Sequence, residues 1–269
     1  MAAVRSYLYV PGDRPERLAK AFSRSADHLI VDLEDAVAVA AKDSALQTVF
    51  DRLETVPEKH APVWVRINSG ERGREELRRL AAHPAVDGFC LPKTETTAEV
   101  EEIDRMLGDA GRDIWLAPLL ESATSIVDIH SIAAAPRVRM LHIGEIDLAA
   151  DLGLAIGSGD DELLYVRSLV VIASSHAKLL APPAPVSTQI DDEDAFRAST
   201  RHLQALGFVG RACIHPRQVA VANDVFTSGQ RNWRGRDGSS TWPRGVLVPS
   251  VARTARWSMR QSSVAPVKS

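Results

Sequence analysis

Two periods divide the chain. Eight short runs with apolar centres recur about one βα unit apart: Tyr7 to Pro11, His28 to Asp35, Pro62 to Asn68, Gly88 to Lys93, Ile114 to Ser122, Arg139 to Asp147, Lys178 to Val186 and Arg211 to Pro216. Between them, segments such as RPERLAKAFSR, REELRRLAAH, TAEVEEIDRML, LLYVRSLVVIASSHA and EDAFRASTRHLQALG repeat apolar positions every three to four residues. Strands without a polar face, alternating with amphipathic helices, predict a parallel sheet covered by helices on both sides. Eight such units predict an α/β chain folded as a closed (β/α)₈ TIM barrel. Reacting groups in that fold sit at the C-terminal ends of the strands. Most of the runs stop at an ionisable residue, so the candidates are Asp32, Glu34, Arg66, Lys93, Glu121, Asp147 and His215.

Bulk composition narrows the class. The 269 residues are 45% hydrophobic and 25% charged, enough for one large core, and barrels of this type run near 250 residues as a single domain. One catalytic domain is therefore expected over residues 1–227. The formal charge of −3, with no basic stretch in the first 220 residues, argues against a nucleic-acid partner. No run approaches the roughly 18 apolar residues of a membrane span, and a strand begins by Tyr7 without a signal-peptide pattern, so a cytoplasmic protein with no membrane partner is expected. Cys90 and Cys213 both fall inside apolar runs and read as buried thiols rather than metal ligands.

The last forty residues break the pattern. From Gly229 to Ser269 there are seven Arg and one Lys against one Asp, a local charge of +7 that leaves −10 on the rest of the chain. Three of the five Trp fall here, and the stretch RNWRGRDGSSTWPRG has neither helical nor strand period. The genetic code offers an explanation. Regrouping the codons of Trp257 to Lys268 one base earlier permits MVDAPVVRRARE, and the same shift over Arg231 to Asp237 permits ELAWAR, a helical string. Residues 228–269 are accordingly read as a basic, frameshifted and poorly ordered tail, the alternative being a natural basic extension.

The strand ends carry the chemistry. Glu121 and Asp147 close adjacent runs, so two carboxylates share one rim within reach of a common cation. Hard oxygen ligands with open positions suit Mg²⁺, a bidentate 2-oxo or 2-hydroxy acid completing the octahedron. Alternatively, either carboxylate caps the following helix or pairs with an Arg. Arg66 ends an apolar run and needs a partner or a ligand; its planar fork suits a carboxylate or an enolate oxygen. Asp32 and Glu34 share a face at period two and are expected to orient Arg66 or a metal-bound water. The loop PGDRPERLAKA starts a helix near Pro15, and its amides with Arg14, Arg17 and Lys20 can hold a phosphate, Arg14 being the preferred contact. Lys93 invites a Schiff-base reading, but nothing in the sequence supplies the desolvation that would depress its pKa. His215, followed by Pro216, reads as a loop-fixing residue, Asp191 and Asp192 as a helix start, and Tyr9 and Ser122 as ordinary mouth residues.

The motifs RSYLYVPGDRPERLAKA, VDLEDAV, VRIN, LPK, LLESA, GEIDLAADLG, GFVGRACIHPRQV and NDVF, in this order and spacing, resemble the citrate lyase β-subunit-like branch of the HpcH/HpaI aldolase and citrate lyase family over roughly Arg5 to Phe226. The resemblance implies a trimeric or hexameric TIM barrel that uses Mg²⁺ on acyl-thioesters or related 2-oxo acids. It implies Glu121 and Asp147 as metal ligands, Arg66, Glu121 and Glu34 at the substrate, and the Arg14 loop at a coenzyme A. Family members also end in an ELAWAR-like helix and an MVDxP motif whose Asp reaches a neighbouring subunit as the base; this chain has WSMRQ there. The family more often has an acid directly before the sixth-strand Asp, where this chain has Ile146, with Glu145 one residue earlier. Asp151 is expected to serve a helix start or an ion pair. Together these imply reversible cleavage of a short 3-hydroxy acyl-thioester, catalysed by Arg66, Glu121 and Asp147. An aldolase for free 2-oxo acids and a catalytically impaired subunit are the alternatives.

Overall fold

The structure is a computed structural model and describes residues 4–23, 25–56, 60–108, 112–155 and 161–233. Seven strands, β1 (Ser6–Pro11), β2 (His28–Asp32), β3 (Val63–Arg66), β4 (Gly88–Leu91), β5 (Trp115–Leu120), β6 (His142–Ile143) and β7 (Arg211–Cys213), form one sheet in the order β6-β5-β4-β3-β2-β1-β7. All six pairings are parallel. The helices are α1 (Pro15–Ala21), α2 (Lys42–Leu53), α3 (Gly70–Leu80), α4 (Thr97–Leu107), α5 (Ala123–Val127), α6 (Ile129–Ala133), α7 (Glu145–Leu152), α8 (Leu164–His176), α9 (Glu193–Leu206) and α10 (Pro216–Trp233). The chain is an α/β fold with a curled parallel sheet, as the alternation of periods requires.

Each helical segment read from the sequence is a helix here, and local chemistry sets several starts. Thr96 forms a capping box with Glu99 at α4, satisfying two otherwise orphaned backbone donors. The Asp192 side chain accepts from Ala195 N at 2.8 Å and caps α9. Helix α10 runs through the expected boundary at 227 as far as Trp233, and the remainder of the expected frameshifted tail lies outside the described residues.

The seventh apolar run departs from expectation. Lys178 to Val186 is not a strand, so among the described residues the sheet has seven strands rather than the eight of a closed barrel. Pro182, Pro183 and Pro185 have no N–H to donate, so a continuous ladder is impossible there. What remains is one isolated bridge, Ala184 to Arg211. The segment also accepts or donates backbone bonds on both sides: Leu180 N to Arg139 O at 3.0 Å, Ala184 N to Gly210 O at 3.0 Å and Ala212 N to Ala184 O at 2.9 Å.

Side chains at alternate strand positions fill two separate cores. Leu8, Val10, Leu29, Val31, Val63 and Val65 face the helices in the larger cluster. Tyr7, Ile30, Trp64, Cys90, Ala117 and Met140 fill the concave side, joined by Val4, Tyr9 and Leu180. Gly88 makes room for that inner cluster: a Cβ there would lie 2.5 Å from the Trp64 ring. Continuing the same alternation toward the C-terminal ends brings the inner face to Asp32 and Arg66. Cys90 and Cys213 are free and buried, each thiol pushed up to about 12 chiefly by burial. No helix among the described residues is long and apolar enough to cross a membrane.

Candidate active site

Strands β2 and β3 pair with Asp32 opposite Arg66, so their register alone sets the first contact of the site. Arg66 grips Asp32 with both arms of its fork, Nε to Oδ1 at 2.8 Å and Nη2 to Oδ2 at 2.6 Å. Its Nη1 lies 3.0 Å from Glu34 Oε2 and 3.2 Å from Asp35 Oδ2. Burial works against the guanidinium charge, but the Asp32 bonds outweigh it and hold Arg66 protonated well beyond any accessible pH. Asp32 Oδ1 also accepts from Glu34 N at 2.9 Å, tying the turn after β2 to the same pair. A bridge from Arg66 to Asp32 and Glu34 thus exists, and it leaves the guanidinium fixed at the mouth.

Lys93 follows β4 in a left-handed backbone conformation (φ 51°), uncommon for a residue with a side chain. Its Nζ lies 3.1 Å from Glu34 Oε1. That partner raises the Lys93 pKa, the opposite of what a Schiff-base lysine requires. Glu34 itself is raised by burial, with Arg66 opposing.

Glu121 stands one residue beyond β5 and is 5% exposed. Burial, then the charges of Glu34 and Asp147, push its carboxyl up to about 8 against the pull of Arg66. Its Oε2 is buried and has no hydrogen-bond partner. Asp147 does not end the sixth strand as the sequence suggested. The strand stops at Ile143, and Asp147 lies in the first turn of α7, exposed at the mouth. The reason is Gly144, which breaks the strand and caps the helix. A Cβ on Gly144 would sit 2.6 Å from Glu121 Cγ and 3.1 Å from Cδ, so only glycine admits Glu121 beside the start of α7. Glu145 turns away and is held by the buried Arg167 at 2.5 and 2.7 Å, while Asp151 accepts from Ala123 N at 2.7 Å at the start of α5.

Five carboxylates (Asp32, Glu34, Asp35, Glu121 and Asp147) thus face two cations, Arg66 and Lys93. That excess, the unpartnered Glu121 Oε2 and the hard oxygen donors fit a divalent cation of the magnesium type. Among the described residues no three side chains converge to ligate one, so Glu121 and Asp147 would leave most positions to water and ligand oxygens.

The family model described as HpcH/HpaI aldolase/citrate lyase matches residues 5–216 of the chain. The chain belongs to that family. A citrate lyase subunit beta-like protein of Mycobacterium tuberculosis is 36% identical over 257 residues, covering 93% of this chain and 86% of its own. The L-malyl-CoA/beta-methylmalyl-CoA lyase of Cereibacter sphaeroides is 30% identical over 256 residues, covering 84% and 80%. Among solved structures, the Mycobacterium tuberculosis citrate lyase beta subunit complexed with oxaloacetate and magnesium has a TM-score of 0.71 and 34% identity, covering 84% of this chain and 97% of that one. Membership places the chain among carbon-carbon lyases.

Of the residues singled out in the sequence, Arg14 and His215 stand outside the cluster. Arg14 caps α1 in an exposed position, with Asp13 as its ion-pair partner at 3.5 Å. His215 Nδ1 accepts from Arg217 N at 3.3 Å, a local turn contact. One residue taken as ordinary belongs inside: the Arg66 guanidinium carbon lies 5.5 Å from the centre of the Tyr9 ring. Its signal was already in the chain, since Tyr7 inward at period two makes Tyr9 inward as well.

Proposed function

We propose that this chain is a Mg²⁺-dependent carbon-carbon lyase that cleaves, or forms, a short 3-hydroxy acyl-CoA or citryl-type thioester to give an acetyl-thioester and a 2-oxo acid. The observation that carries the reading is the pairing of a buried, unpartnered Glu121 carboxylate with Asp147 across Gly144, opposite a fixed Arg66. Glu121 and Asp147 are the metal ligands. When bound, the cation supplies Lewis acidity to the carboxylate and hydroxyl of the acid half. The relatives that act on malyl-CoA, and the solved Mycobacterium tuberculosis relative holding magnesium, acetoacetate and coenzyme A (TM-score 0.72, 31% identity, covering 86% of this chain and 85% of that one), support both cofactor and substrate class.

In the cleavage direction the hydroxyl proton leaves to a base and the carbinol carbon becomes a carbonyl. The bond to the neighbouring α-carbon breaks, its electron pair enters the thioester enolate, and the α-carbon then takes up a proton. Arg66, preorganised by Asp32 and Glu34, stabilises the enolate oxygen where negative charge develops. Its fixed geometry means that the charge is in place before the bond breaks. Arg14 at the start of α1 is assigned to the coenzyme phosphates. The proline-rich run at 178–186 is read as the eighth stave of a TIM barrel, on the strength of its bonds to Arg139, Gly210 and Ala212. A homotrimer or hexamer is inferred from the resemblance, and a domain limit near 227 from the break in period and charge along the chain.

Calorimetric titration of oxaloacetate and pyruvate with and without Mg²⁺, alongside assays of malyl-CoA and citramalyl-CoA cleavage, tests the assignment. Mg²⁺-dependent binding that disappears in Glu121→Gln and Asp147→Asn is the expected result. Binding indifferent to Mg²⁺ or to both substitutions overturns it. Restoring the reading frame after Phe226 is expected to raise turnover by about 10²- to 10⁴-fold, the usual contribution of a positioned base.

A further inference from the structure

The inner core of this sheet carries aromatic and imidazole rings among its apolar side chains. Tyr7 packs edge-on against His28 (5.1 Å between ring centres) and His142 (5.8 Å), and Trp64 Nε1 donates to His28 Nδ1 at 3.1 Å. At the top of this column the Tyr9 hydroxyl lies 3.5 Å from His142 Nδ1, the outer edge of hydrogen-bond range, with the Arg66 guanidinium above the Tyr9 ring.

His142 is 3% exposed, and its Nε2 is buried with no partner. Burial first, then the nearby charge of Arg66, keeps the imidazole neutral. A neutral ring carries its single proton on one nitrogen, and a buried N–H without an acceptor is rarer in folded proteins than an acceptor left short of a donor. The proton therefore belongs on Nδ1, where the Tyr9 oxygen can accept it. With that lone pair engaged, the phenol's own proton must turn elsewhere. Burial holds the phenol protonated. Among the described residues no acceptor other than His142 stands within hydrogen-bond range of the hydroxyl, so the remaining direction is the mouth, where a ligand oxygen would sit.

We propose that the Tyr9 hydroxyl, oriented by His142, donates a hydrogen bond to an oxygen of the anionic ligand lodged between Arg66 and the Glu121–Asp147 pair. This rests on the site reading above and adds to it a ligand-binding residue, Tyr9, and a positioning residue, His142.

Nitrogen-15 histidine NMR on the whole chain, with His142→Asn to assign the signal, is expected to show the Nδ1–H tautomer near neutral pH. The Nε2–H tautomer overturns the proposal without any ligand. Titration with oxaloacetate in saturating Mg²⁺ supplies the second arm. Tyr9→Phe keeps the ring under Arg66 and is expected to bind about tenfold to hundredfold more weakly, the cost of one bond to a charged group, while still melting as a folded protein. His142→Leu is expected to follow Tyr9→Phe, whereas His142→Asn, which retains a donor near Nδ1, should recover most of the affinity. Equal binding by wild type and Tyr9→Phe overturns this proposal alone; no Mg²⁺-dependent binding by wild type removes the site reading itself.

Discussion

Gly144→Ala isolates the convergence of Glu121 and Asp147 better than removing either carboxylate. The backbone at Gly144 (φ −98°, ψ 82°) lies in the negative-φ half of the map, so alanine is not excluded there as it would be at positive φ. The obstacle is a single side chain, since the added methyl would come within 2.6 Å of Glu121 Cγ. Carbon contacts settle at about 3.5–4.0 Å, so the Glu121 side chain must retreat by roughly 1 Å. Displacements of that size at a reacting centre cost on the order of 10²-fold, and disturbing the support of a metal ligand typically costs about 10- to 100-fold in affinity. Mg²⁺-dependent binding of oxaloacetate should therefore fall about 10- to 100-fold in Gly144→Ala. Thermal stability should change little, because Gly→Ala at a tolerated conformation restricts the unfolded chain and offsets part of the crowding. Isothermal titration beside a thermal melt checks both. Wild-type affinity in the variant would refute the idea that Gly144 brings the pair together, as would a large loss of stability accompanying the loss of binding.

The raised Glu121 carboxyl has a pH consequence. Its folded value of about 8 lies above its ordinary 4.5, so the native state holds a proton that the unfolded chain has released. The stability of the metal-free protein should be greatest below about 4.5 as far as this group is concerned, and decline as pH rises through 8. Glu121→Gln should flatten that decline in melts across the window, while Mg²⁺ affinity of the wild type should rise over the same range as the proton is displaced. Arg66→Met leaves Asp32, whose side chain is 3% exposed, without its bidentate partner and should cost about 3–5 kcal/mol in chemical denaturation. A loss below 1 kcal/mol would mean that Asp32 finds another partner. Borohydride treatment in the presence of pyruvate should leave Lys93 unmodified by mass spectrometry, and a trapped adduct there would refute the metal-centred chemistry.

The apolar runs announced a parallel sheet because strands packed on both sides have no tolerance for a polar face, and that requirement is visible residue by residue. The same period two carried Asp32 and Arg66 to one face, and their pairing in the structure follows from adjacent strands in register. Position along a strand is local information. The end of a strand is not, and Asp147 was misplaced on β6 because Gly144 turns the chain into α7 to admit a Glu121 side chain arriving from another strand. Glu145 was ambiguous in the sequence for the same reason, and only the arrival of Arg167 from α8 decided where it turned. The proline-rich run looked like a strand by hydropathy, yet three missing N–H groups left it one bridge. Tyr9 and His142 lie 133 residues apart and meet only across the inner face of the sheet. Periodicity follows from each segment's own need to bury apolar surface, so it is written in the chain. Contacts between segments, and the charge states that those contacts impose on Glu121, Lys93 and His142, exist only once distant strands share one interior of low dielectric.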